Sequence, residues 1–210
     1  MSRYRRARVP GGTYFFTVVT ERPQPILTHA DVRLALREAI VLVRETLPFR
    51  IDGWVLLPDH LHAIWTLPEG DADFSARWRL IKRHVTRTCG SAHGRSNYLT
   101  GRRTAKQCGT LWQHRFWEHL IRDEHDFRRD LDYLHGNPLK HGLVERVVDW
   151  PWSSFHRWAR QGVYPADWAG VGNDGSVAEG RAGETRRFEV GFCHFRRVSP
   201  ALPNGVCHLA

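Results

Sequence analysis

Apolar residues along this chain alternate between two rhythms. GGTYFFTVVT carries aromatic and β-branched residues behind two glycines, which predicts a first strand over about Thr13 to Thr20. In THADVRLALREAIVLVRETLP the residues Val32, Leu36, Ile40 and Val43 recur at helical spacing, with Asp31 or Thr28 to cap the start and Pro48 as the stop. FRIDGWVLLPDHLHAIWTLPEG predicts two strands that turn at Pro58 and Asp59 and end at Pro68 to Gly70. From Phe74 to Cys89 the helical period returns, with Trp78, Ile81 and Val85 on one side and Arg79, Arg83 and Arg87 on another. A Gly, Ser and Thr-rich stretch from Gly90 to Thr110 predicts a long loop. RFWEHLIR predicts a fourth strand. DEHDFRRDLDYLHGNP predicts a helix with Phe127, Leu131 and Leu134 on its core face, closed by Gly136, Asn137 and Pro138.

DWPWSSFHRW adds a short helix. This order of strands and helices predicts an α+β sandwich: an antiparallel sheet of ferredoxin-like or RRM-like type, covered by helices on one face. Beyond Ala169 seven glycines and few periodic apolar residues predict a flexible tail, so residues 1–169 are expected to form the domain and 170–210 the tail.

Charge narrows the partners. The formal net charge is +9, and no acid lies between Phe74 and Trp117 while ten Lys and Arg do: Arg77, Arg79, Lys82, Arg83, Arg87, Arg95, Arg102, Arg103, Lys106 and Arg115. The N-terminal arm adds Arg3, Arg5, Arg6 and Arg8. A single basic run is as readily a solvated face; two acid-free runs favour a phosphate backbone. The four cysteines form no C-x-x-C pair and suit a reduced cytosol, and Cys89, His93, Cys108 and His114 have poor spacing for a zinc site. No stretch has the length of a membrane span or a signal peptide.

Within LLPDHLHAIWTL, His60 and His62 project from the same face of a strand, the geometry two imidazoles need to share a cation. With 13 histidines in 210 residues, roughly 0.8 such pairs would arise by chance, so the pair alone favours hydrogen-bonded sheet histidines. Tyr133 is the one tyrosine on a predicted helix with an amide, Asn137, four residues on, which places both on one face. A tyrosine at a core edge and an asparagine that ends a helix are the plain alternatives.

PDHLHAIWTLPEG, WQHRFWEH and DYLHGNPLKHG, with GGTYFFTV near the start, closely resemble the REP-associated tyrosine transposases, a branch of the single-tyrosine HUH transposases; the resemblance runs from about Arg3 to Gly170. It implies an HUH endonuclease fold, Tyr133 as nucleophile, and His60, His62 and Asn137 as ligands of Mg2+ or Mn2+, with zinc as the competing ion. The implied substrate is single-stranded DNA with a hairpin, cleaved through a 5′-phosphotyrosine and rejoined without ATP. Trp112, Arg115 and Trp117 are then expected to supply stacking and charge, and Arg3, Arg5, Arg6, Arg79, Lys82, Arg83 and Lys140 to hold the backbone. His135 stands where the family commonly has an apolar or aromatic residue, which suggests an extra ligand or proton carrier. A bacterial cytoplasmic, nucleoid-associated monomer or homodimer is expected. Two other classes remain: a nucleic-acid-binding module without chemistry, and a two-histidine phosphoesterase.

Overall fold

The computed structural model describes residues 7–93 and 111–170. Four strands, β1 (Thr13–Val19), β2 (Arg50–Leu56), β3 (His60–Thr66) and β4 (Trp117–Ile121), form one sheet in the order β2-β3-β1-β4, every pairing antiparallel. The helices are α1 (Ala30–Thr46), α2 (Phe74–His93), α3 (Glu124–Lys140) and α4 (Phe155–Arg160). The expected α+β sheet is present, but helices cover it on both faces. The reason is legible in β1 and β3: Tyr14, Phe16, Val18, Leu61, Ala63 and Trp65 point into a core with α1 and α2, while Phe15 and Ile64, at the alternate positions, join Leu131, Leu134, Trp150 and Phe155 on the other side. Strands that are apolar at both parities are buried on both faces.

Gly53 sets how closely α3 lies on the sheet. It follows a bulge between Ile51 and Gly53, and a Cβ there would stand 3.1–3.2 Å from the methyl carbons of Leu131, Leu134 and Ile64. The absent side chain lets two leucines of α3 rest on the backbone of β2.

Two helix ends differ from expectation. α2 runs through Gly90 to His93, four residues past Cys89, and the rest of the expected loop, residues 94–110, lies outside the described residues, as does the tail from 171 onward. α3 does not close at Gly136, Asn137 and Pro138 but carries all three to Lys140. Pro138 forfeits one backbone donor, yet the residue is buried. The stop is Gly142, at φ +65°, with Gly142 N–H donating to Leu139 O and Leu143 N–H to Pro138 O, the paired bonds of a Schellman ending.

Arg77, counted within the basic run, is fully buried. Its guanidinium donates to the carbonyls of Asp73, Leu47 and Pro48 and to Asp71 Oδ2, tying the end of α1 to the start of α2.

Candidate active site

The register places Val55, His62, Thr17 and Trp117 in one row across the sheet on the α3 face, with His60 opposite Val19 one step along. The imidazoles of His60 and His62 lie 5.0 Å apart, centroid to centroid, nearly perpendicular. Each is held at Nδ1: His60 by Asp59 Oδ1 at 2.7 Å and His62 by the Thr17 hydroxyl at 2.9 Å. A carboxylate at Nδ1 fixes the tautomer of His60 that leaves the Nε2 lone pair free, and the Thr17 oxygen can accept from His62 in the same way. His62 Nε2 is buried with no hydrogen-bond partner. Burial, then the neighbouring charges of His60 and His141, push the His62 pKa down to about 3, against the pull of Asn137 and the Phe16 backbone. It is therefore a neutral imidazole at any ordinary pH.

α3 brings the other residues over this pair. Asn137 is buried; its amide Nδ2 donates to Tyr133 O at 3.0 Å, leaving Oδ1 buried without a partner. Two orphaned buried acceptor atoms, His62 Nε2 and Asn137 Oδ1, beside an anchored His60, are a donor set that fits a divalent cation: an unpaired buried polar atom is costly unless a ligand takes it up. Tyr133 is 45% exposed, its ring edge-on to His62 at 5.5 Å and to Phe15 at 6.0 Å. Lys140 Nζ lies 5.2 Å from the centre of that ring. The other described tyrosines are buried, Tyr14 bound to the Val9 backbone and Tyr164 donating to Asp132.

His141 belongs to this site and the sequence reading missed it. Its ring packs 5.2 Å from that of His60, and burial and His60 lower its pKa while Asp59 raises it. Tyr133, Asn137 and His141 recur at intervals of four, a signal hidden by ending the helix at Pro138.

Of the residues expected to meet nucleic acid, Trp117 and Lys140 are at the site; Trp117 is 54% exposed, edge-on to Phe15 and parallel to His119. Arg115 is exposed two residues before it. Trp112 is not a platform: it is 6% exposed, within the core between the sheet and α1 and α2, and its backbone bridges to Thr20. Arg79 and Arg83 are exposed on α2, in the opposite helical layer from Tyr133, and the Lys82 ammonium donates to Gln113 O. Arg3, Arg5 and Arg6 lie outside the described residues.

His135 is neither ligand nor proton carrier at this site. It is fully buried on the far side of α3, where Nε2 meets Ser154 Oγ at 2.9 Å and that oxygen also accepts from Trp54 N–H. Burial, then Arg157 and His156, bring its pKa to about 3 from an ordinary 6.5. Folding therefore favours the neutral ring, and the stability it contributes is complete above pH 6.5 and lost as pH falls toward 3. Urea midpoints measured from pH 7.5 to pH 4.5 should decline steadily below about pH 6.5, and His135→Gln should lessen that decline, His62 supplying the rest; a decline unaltered by His135→Gln would refute the assignment.

No family model matches the chain. Among curated proteins it is 46% identical over 179 residues to the REP-associated tyrosine transposase of Escherichia coli strain K12, covering 85% of this chain and 98% of that protein. It is 43% identical over 171 residues to a putative REP-associated tyrosine transposase of Haemophilus influenzae, covering 81% and 94%. The solved structure of a REP-associated tyrosine transposase bound to a REP hairpin superposes with a TM-score of 0.68 at 46% identity, over 89% of this chain and 99% of that one. The four-stranded antiparallel sheet with helices packed on it matches the fold of that transposase structure. The chain belongs to the REP-associated tyrosine transposases.

Proposed function

We propose that this protein cleaves and rejoins single-stranded DNA beside hairpin-forming repeats, with Tyr133 as the nucleophile. The observation that carries the proposal is the meeting of an exposed phenol with two imidazoles anchored at Nδ1 and an amide oxygen left without a partner. The Tyr133 oxygen attacks phosphorus; an O–P bond to the enzyme forms, the bond to the 3′ oxygen breaks, and that oxygen leaves as a 3′-hydroxyl after taking a proton. The enzyme then holds a 5′-phosphotyrosine, and attack by another 3′-hydroxyl reverses the step and seals a new junction. His60, His62 and Asn137 would hold Mg2+ or Mn2+, which when bound offsets charge growing on the phosphate oxygens. The Lys140 ammonium, close to the Tyr133 ring, is placed to attract the incoming phosphate. The relative whose structure contains a REP hairpin supports the hairpin as the recognised form.

The test is incubation with a hairpin-bearing single strand, labelled at either end, in Mn2+. A protein adduct that survives denaturation and carries the label 3′ of the cut is expected. Native-gel binding without an adduct would leave a nucleic-acid-binding module instead. Trp117→Ala should weaken single-strand binding about tenfold through one lost stacking contact, read by fluorescence anisotropy, with thermal stability nearly unchanged; unaltered affinity would remove Trp117 from the interface.

A further inference from the structure

On the face of the sheet away from Tyr133, α1 begins where α2 ends, and three ligand-type side chains meet there. His29 occupies the N-cap position of α1 but makes no side-chain capping bond, so its imidazole is not used by the helix. Asp31 lies in the first turn, and His93 is the last residue of α2. His93 Nε2 is 2.7 Å from Asp31 Oδ2, the rings of His29 and His93 are 5.1 Å apart, and one ligand atom from each of the three residues falls within 4.8 Å of the other two.

We infer that His29, Asp31 and His93 form a second metal site, of Zn2+ type, which clasps the start of α1 to the end of α2. Two imidazoles and one carboxylate are a borderline-soft donor set with room for water at the fourth position. Tetrahedral zinc places its ligand atoms about 3.3 Å apart, so the His93–Asp31 pair, at 2.7 Å, must open slightly and His29 must close in from within 4.8 Å, adjustments within the reach of side-chain rotation. Asp31 supplies the anion that offsets the cation's charge and the positive N-terminal end of α1 at which it stands. Cys89, one turn before His93, keeps its buried thiol on the Asp31 carbonyl at 3.6 Å and braces the Asp31 backbone from outside the ligand set. The other described cluster, Asp123, His125 and Asp126, has no such freedom, since Asp123 caps α3 and Asp126 is bound by Arg122 and Arg129.

The clasp would fix the point where the chain leaves α2 toward Arg95, Arg102, Arg103 and Lys106. It does not depend on the chemistry assigned to Tyr133. The test uses the full chain with His60→Ala and His62→Ala, which removes the proposed catalytic ligands, stripped by chelator and titrated with Zn2+ alone. One equivalent should bind and raise Tm by about 5 °C, Co2+ should give the intense visible band of a four-coordinate site, and both should vanish on adding His29→Gln or His93→Gln. Circular dichroism identifies the folded variants; His29 is exposed and the His93 side chain partly so. Zinc uptake that survives both changes, as uptake by the cysteines would, or no uptake in the parent, overturns the inference.

Discussion

Tyr133→Phe is expected to abolish the denaturation-resistant DNA adduct and to lower strand cleavage by at least about a thousandfold, because the change removes the oxygen proposed to attack phosphorus and nothing substitutes for it. The same change should leave hairpin affinity within about twofold and Tm within a degree or two, since the ring contacts to His62 and Phe15 are retained and the residue is half-exposed. Both readouts come from one preparation: label transfer on a denaturing gel and binding by anisotropy. Cleavage that persists without the phenol would instead mean hydrolysis by water, the behaviour of a histidine phosphoesterase.

The second large effect concerns stability. Arg77→Met keeps much of the side-chain volume but strips donors from three backbone carbonyls and from Asp71, all gathered around a group with no exposure. A loss of about 3 kcal/mol is expected, measured by guanidinium denaturation, a large fraction of the roughly 5–15 kcal/mol that holds a typical domain folded. Arg87→Ala, on an exposed face of the same helix, should change stability by less than about 0.5 kcal/mol. Equal effects at the two positions would show that the buried guanidinium is not a structural tie.

The strands and helices were legible because their apolar periods are clean, and the histidine pair because a strand projects alternate side chains to one side. What was misread has local causes. A glycine, an asparagine and a proline in succession imitate a helix stop, but the bonds that end α3 require a residue at positive φ, which Gly142 supplies and Gly136 does not. That error concealed His141. Arg77 was counted within a basic run and Trp112 was expected, from the family resemblance, to stack on bases, but neither a charge count nor a motif shows which way a side chain faces; tertiary packing turned both inward. Asp59 and Thr17, which orient the two imidazoles, come from a turn and a neighbouring strand, and only the β1 to β3 register reveals the second.

The clearance of α3 over β2, set by the missing side chain at Gly53, has a consequence for how the proposed reaction can be tuned. The hydroxyl-bearing segment rides on leucines, and its reach toward the imidazoles is fixed by that hydrophobic footing. A methyl group or two added beneath it would act as a shim, tilting the whole rod and altering turnover while every reacting group keeps its identity.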